Sequence, residues 1–385
     1  ESDGTKYSRL TYRTMTPEEL RSDIPAVTEE GTAYFNTGAS GPSPRRVVDA
    51  VADRQAHHSY KTPCEEGMYP GAYEVFDDAR ESVSRLLGAD PDEIALTQST
   101  TDGINLVADS MRWDEDDLVV RTDVEHPAGT LPWDRLADLR GIDVRVVEND
   151  HGYFDLDDFK TAVEDATLVC VSSIAWNYGT RLPIEEITEI AHDAGALVLC
   201  DGVQTPGQMP VDVKEWGVDF YTGAGHKWLL GPWGAGFLYV SEDVLPEVRP
   251  KRIGSSSVID SSADEYAFKE DASRLEVSTK SVASYGGLAE AIEMMLELGL
   301  DTVEDRIAEL TDYLKAEIGE ERLNSPMDYH SGLVSFNVDE PDDFVEELKA
   351  DNIVIRTIPY PKCVRASVHA FNTTEDIDAL VTHLD

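Results

Sequence analysis

Two stretches decide the reading of this chain: Ala196–Gly207, ALVLCDGVQTPG, and Thr222–Gly236, TGAGHKWLLGPWGAG. The first is an unbroken apolar run that ends in a carboxylate, Asp201, and the second sets Lys227 among glycines 26 residues later. An apolar run bounded by turn residues is the pattern of a strand buried on both faces, and its carboxyl end is where open α/β sheets gather ligands. Working outward, similar runs occur at Glu93–Leu96, Asp117–Arg121, Val144–Val147, Thr167–Ser172, Asp219–Tyr221 and Gly236–Val240, with helical patterns such as Ile184–Asp193 between many of them. This alternation, from about Ala33 to Val240, predicts a largely parallel α/β sheet covered by helices. Past about Arg252 a Ser-rich loop, IGSSSVIDSSADE, leads to helical patterns over Ser284–Leu298 and Val303–Ile318. Strand-like Leu333–Val338 and Ile353–Thr357, a helix over Asp342–Ala350 and a last helix over Thr374–Leu384 complete a smaller α+β unit. The expected division is an N-terminal segment, 1–32, packing with the small domain, a large domain over 33–251 and a small domain over 252–385.

Length and composition bound the answer. A chain of 385 residues exceeds what one core usually serves, so two structural domains are expected. Seventy-six acidic against 32 basic residues give a formal charge of −44, spread along the chain. That weighs heavily against nucleic-acid or anionic-membrane partners, which need basic patches. Such self-repulsion suits a high-salt cytoplasm, as in halophilic organisms, where screening is short-ranged. No apolar run is long enough to span a bilayer, and the start, ESDGTKYSRL, lacks the basic and apolar order of a signal peptide. The four cysteines, Cys64, Cys170, Cys200 and Cys363, form no CxxC pair, and His57, His58 and Cys64 match no metal-ligand spacing. Neither a disulfide framework nor a metal site is expected, and a reducing cytoplasmic location fits.

The chemistry lies at the strand ends. A lysine amine such as Lys227 can hold the aldehyde of pyridoxal phosphate (PLP) as a Schiff base. A buried carboxylate such as Asp201 can keep the pyridine nitrogen protonated. IALTQSTTDGINLVADSM reads as strand, hydroxyl-rich turn and helix, so Ser99, Thr100, Thr101 and the first helical N–H groups form either an anion cup or an ordinary N-cap. His126, in DVEHPAGTLPW, offers a flat ring for stacking or a loop histidine, and Gln204 a donor for the phenolic oxygen or a turn residue. Arg365, in PKCVRASVHAF, and Arg356, in IVIRTIPYP, are forked cations suited to a substrate carboxylate or to surface ion pairs. Trp228 and Trp233 are either pocket walls or core aromatics. The GxGxxG and GxxxxGK[ST] nucleotide motifs both fail around Lys227.

Five motifs in order, YFNTGASGP, STTDGINLVA, VEHPA, LCDGVQ and GHKW, resemble the class V aminotransferase family of fold-type I PLP enzymes, over about Tyr34 to Leu384. The resemblance implies a fold-type I α/β architecture with Lys227 as Schiff-base lysine and general acid/base. It makes Asp201 the partner of the pyridine nitrogen, Gln204 that of the phenolic oxygen and His126 the stacking ring. Thr100, Thr101 and His226 become phosphate ligands, and Ser278 or Thr279 from a second subunit completes that site, which implies a homodimer. Arg365 matches the carboxylate-binding arginine, Asn177 a polar group at the same end of the substrate, and Arg356 lies in the stretch matching RTG. Two departures stand out. The loop that carries a nucleophilic cysteine in desulfurases is shortened to RTIPYPKCVRAS, and Ala224 replaces a frequent serine, with Thr222 as the nearby hydroxyl. HKWLLGP, AWNYGT and CVRASVH look nearest the cysteine/cystine lyases and isopenicillin N epimerase-like proteins. The expected function is therefore β-elimination from cysteine or cystine. Transamination, epimerisation and, after these, desulfuration follow as alternatives, with a catalytically silent PLP-binding protein last.

Overall fold

The computed structural model describes residues 15–65 and 67–384, so residues 1–14 of the expected N-terminal segment lie outside it. After a two-residue strand β1 (Ala33–Tyr34) come the seven strands of the main sheet. They are β2 (Ile94–Thr97), β3 (Leu118–Thr122), β4 (Asp143–Val147), β5 (Leu168–Ser172), β6 (Leu197–Asp201), β7 (Phe220–Ala224) and β8 (Gly236–Val240). Their order is β2-β8-β7-β6-β5-β3-β4, and only β8 runs against its neighbours. All seven predicted runs are strands, displaced by no more than a few residues. Every residue of β5, β7 and β8 is buried, which is why these read as apolar runs rather than alternating ones. The chain leaves β3 for β4 on one side and returns to β5 on the other, so the sheet switches direction between β3 and β5. A crevice opens at the carboxyl ends of the strands at such a point.

The predicted helix Ile184–Asp193 has those same bounds. Helix Val282–Leu298 packs on helices Arg45–Tyr60 and Met68–Leu87 and joins the apolar cluster of the main sheet, so packing runs across the expected boundary at residue 252. A second core is built by the far half of helix Leu300–Ile318 with strands β9 (Leu333–Phe336), β10 (Ile353–Val354) and β12 (Lys362–Ser367), and β11 (Arg356–Pro359) lies beside β12. The run expected as one strand over Ile353–Thr357 divides at Ile355. Its first part, β10, lies parallel to β1, and its second, β11, pairs antiparallel with β12. A strand that changes partner midway keeps its apolar alternation, so periodicity alone cannot show the break. At the amino end of the described residues, Arg21 holds Asp376 at 2.8 and 3.0 Å and the Phe371 carbonyl at 2.9 Å, tying helix Pro17–Ser22 to the helix Thr374–Val381.

Candidate active site

The strand ends and the β11–β12 hairpin enclose a cavity of roughly 650 Å³. It is lined by Thr100, Thr101, His126, Asn177, Asp201, Gln204, His226, Lys227, Arg356 and Arg365, residues that span 265 positions of sequence. Thr279 does not line it; it is exposed in the segment before helix Val282–Leu298.

Asp201 ends β6 and is 3% exposed. One carboxylate oxygen accepts the Val203 N–H at 3.0 Å, while the other makes no hydrogen bond with a described residue. Burial raises its pKa, and Val203 and the cationic Lys227 oppose that shift. The Lys227 amine makes no hydrogen bond or ion pair with a described residue. Burial pushes its pKa down to about 8, with Asp201 opposing and Arg365 and Arg356 assisting. An amine reacts with an aldehyde only when neutral, and roughly a tenth of such a group is neutral at pH 7, against far less for an ordinary lysine. Capture of PLP by the apo-protein, followed by stopped-flow absorbance, is therefore expected to quicken about tenfold per pH unit up to pH 8 and then level off. A rise continuing past pH 10 would show an unperturbed lysine.

At the start of the helix Thr100–Ser110 the capping role falls to Ser99 and leaves Thr100 free of it. Ser99 is the N-cap and accepts the Asp102 N–H at 3.1 Å. Thr100 lines the cavity, and its Oγ1 is buried with no hydrogen-bond partner among the described residues. Such a buried hydroxyl beside unpaired helical N–H groups fits a phosphate. Thr222 does not replace the hydroxyl lost at Ala224: its Oγ1 donates to the Phe237 carbonyl at 3.0 Å beneath Gly103, outside the cavity. His226 lies against Trp233 with the ring planes tilted by 39° and the centroids 4.9 Å apart, and burial, then Lys227, lowers its pKa to about 4.

His126 meets Trp176 edge-on at 5.6 Å, and its Nδ1 accepts the Ala128 N–H at 3.2 Å, which places the single proton of the neutral ring on Nε2. Although the ring opens to the cavity, partial desolvation, with Lys227, Arg356 and Arg365, lowers its pKa to about 4. A neutral flat ring suits stacking on an aromatic cofactor. At the opposite end, Arg365 is 1% exposed and donates through Nη1 to the Trp176 carbonyl at 2.6 Å. Its Nε and Nη2 have no protein partner, and burial followed by Arg356 pulls its pKa down to about 9. Asn177 donates to the Tyr360 carbonyl at 2.9 Å, leaving its own Oδ1 unpartnered. These unmet groups share one cavity with an amine, a carboxylate and a stacking ring, an arrangement that fits PLP and an amino-acid carboxylate.

The aminotransferase class-V family profile matches residues 33–380. The chain belongs to the class V aminotransferase family. A "probable cysteine desulfurase" of Methanothermobacter thermautotrophicus is 35% identical over 95% of this chain and 96% of its own length. The apo cysteine desulfurase of Thermococcus onnurineus NA1 superposes with a TM-score of 0.89 at 30% identity, covering 96% and 97% of the two chains. The cystine C-S lyase C-DES, solved with its product cysteine persulfide, does so with a TM-score of 0.88 at 27% identity, covering 94% and 98%. A lysine variant of C-DES carries glycine covalently linked to its PLP cofactor. This class V chain is a PLP-dependent enzyme of fold type I.

Several cavity residues escaped the sequence reading, Trp176 and Tyr360 among them, and Glu125 places a carboxyl group at the sheet's switch point. Glu125, 6% exposed, accepts hydrogen bonds from Thr122 Oγ1 at 2.7 Å, Ser172 N–H at 3.1 Å and Ser172 Oγ at 2.5 Å. It thereby staples β3 to β5 across the point where the sheet switches direction and fixes the start of the His126 loop. Burial pushes its pKa up to about 7, against the Ser172 and Thr122 bonds, with Asp201 adding to the rise. The signal was present: a carboxylate just past an apolar strand, the same pattern that singled out Asp201.

Proposed function

We propose that this class V enzyme is a carbon–sulfur lyase that eliminates the β-sulfur of cysteine or cystine, working as a homodimer in the cytoplasm of a high-salt cell. The position of the cysteines carries the choice of elimination over transfer of sulfur to an enzyme thiol. None of the four lines the cavity. Cys363 is buried in β12 and its thiol is pushed up to about 11 by burial, while Cys170 and Cys200 are buried in the main sheet and raised further. Cys64 is exposed elsewhere. Pro359 pairs with Lys362, so β11 and β12 are joined through Tyr360 and Pro361 alone, a turn too short for a mobile cysteine loop.

In this reading Lys227 binds the cofactor aldehyde and carries the α-proton, and Asp201 holds the proton on the pyridine nitrogen. Gln204 faces the phenolic oxygen and His126 covers the ring. Thr100, Thr101, His226 and the helix start hold the phosphate, with Thr279 supplied by a second copy. Arg365, Asn177 and Arg356 receive the substrate carboxylate. Bound PLP supplies the electron sink that makes α-proton removal feasible. A second reading, desulfuration, is favoured by the names of the relatives and requires a thiol at the substrate.

PLP-loaded protein given L-cystine in concentrated KCl, without any 2-oxo acid, is expected to release pyruvate steadily, and Cys363→Ser to leave that rate unchanged. Turnover that requires an oxo acid would establish an aminotransferase instead. Loss of activity in Cys363→Ser with persulfide on the wild-type protein would establish a desulfurase.

A further inference from the structure

Trp228 follows the lysine yet takes no part in the cavity wall. Its ring is fully buried, and a Cβ on Gly332 would lie 2.7 Å from it. Its indole N–H donates to Gln204 Oε1 at 2.8 Å. The Trp228 carbonyl accepts from His369 Nε2 at 2.9 Å, so the proton of that buried ring sits on Nε2. The His369 ring stacks between Trp228, at 5.9 Å, and Phe371, at 4.9 Å. The tryptophan is therefore gripped at its backbone and on its face while its one polar atom reaches a cavity residue.

A glutamine amide can present either its oxygen or its nitrogen, and its neighbours decide which. Here the indole N–H occupies Oε1. The Gln204 Nε2 group gives one hydrogen to the Gly38 carbonyl at 3.1 Å and has a second to offer. We propose that Trp228, locked by His369, is a positioning residue that fixes the Gln204 amide with its N–H edge toward the cofactor, making Gln204 a hydrogen-bond donor to the phenolic oxygen of PLP.

The proposal rests on Gln204 being the partner of that oxygen, and the test separates the two. A donor favours the form of the cofactor with more negative charge on the phenolic oxygen, so its loss moves the pH midpoint of the visible absorbance of the PLP-loaded protein upward. With a hydrogen bond worth up to about 1.4 kcal/mol, or tenfold, Gln204→Leu is expected to raise the midpoint by about one unit and weaken PLP binding about tenfold. Trp228→Phe, which removes the N–H, is expected to shift both in the same direction, and the double variant to shift them no further than Gln204→Leu alone. If Trp228→Phe does not fold, benzothienylalanine placed at position 228 keeps the ring shape with sulfur in place of N–H. A midpoint unmoved by the loss of the N–H, while Gln204→Leu moves it, overturns the role of Trp228 and leaves the Gly38 carbonyl as sufficient. Additive shifts show that Trp228 acts through some other group and also overturn it. An unmoved midpoint in Gln204→Leu overturns the Gln204 assignment and the proposal together.

Discussion

Lys227→Ala is expected to abolish the covalent link to PLP and to lower turnover by on the order of 10³-fold or more. On the proposed reading two functions are lost at once, since the same amine would anchor the aldehyde and move the α-proton, and a positioned acid or base is by itself worth about 10²–10⁴-fold. Among the described residues no other lysine lines the cavity. The neighbouring histidines do not substitute as bases of comparable strength, because both have pKa values lowered to about 4. Absorbance of the dialysed holoenzyme and turnover of an amino-acid substrate check this together. A variant that retained covalent cofactor and activity would remove Lys227 from the centre of the site.

The second large effect concerns Arg365. Its side chain is buried, two of its nitrogens have no protein partner, and Arg356 is its register partner across the β11–β12 pair. Two like charges facing each other in a sheet are unfavourable, and a buried cation lacking a counter-ion is costly. A substrate carboxylate would answer both. Arg365→Met is therefore expected to raise KM about 100-fold, the worth of a charge-assisted pair near 3 kcal/mol, while making the apo-protein more stable by about 1 kcal/mol or more. Substrate titration and thermal melting of the apo form in concentrated salt measure the two quantities separately. A less stable apo-protein with unchanged KM would mean that Arg365 is structural.

The large sheet was legible because six of its seven strands are almost wholly buried and end in turn residues, while β4, mostly exposed, kept a short valine-rich run. Asp201, Lys227 and His126 could be singled out because each stands just beyond such a run. The small unit was less so: β12, which carries Arg365, begins with Lys362 and holds a charged residue in the middle, so it lacked a strand's apolar signature, although it is paired on both sides. Glu125 was passed over because a glutamate beside a histidine reads as surface until Ser172 and Thr122 are seen to surround it. Trp228 could not be told from a wall of the pocket, since the contact that distinguishes it, with Gln204, lies 24 residues away in sequence.

The placement of β2 bears on how the protein is made. Among the described residues its sole partner in the sheet is β8, which enters the chain some 140 residues later. Until the ribosome has released residue 240, β2 and the Ser99–Thr101 turn that follows it have no docking edge, and the growing sheet ends at an open β7. Late closure of this kind makes non-local pairing slow and leaves strands exposed to association. The turn proposed to hold the phosphate is thus docked only after Lys227 has been synthesised, and on that reading PLP is received by a large domain whose last strand is in place.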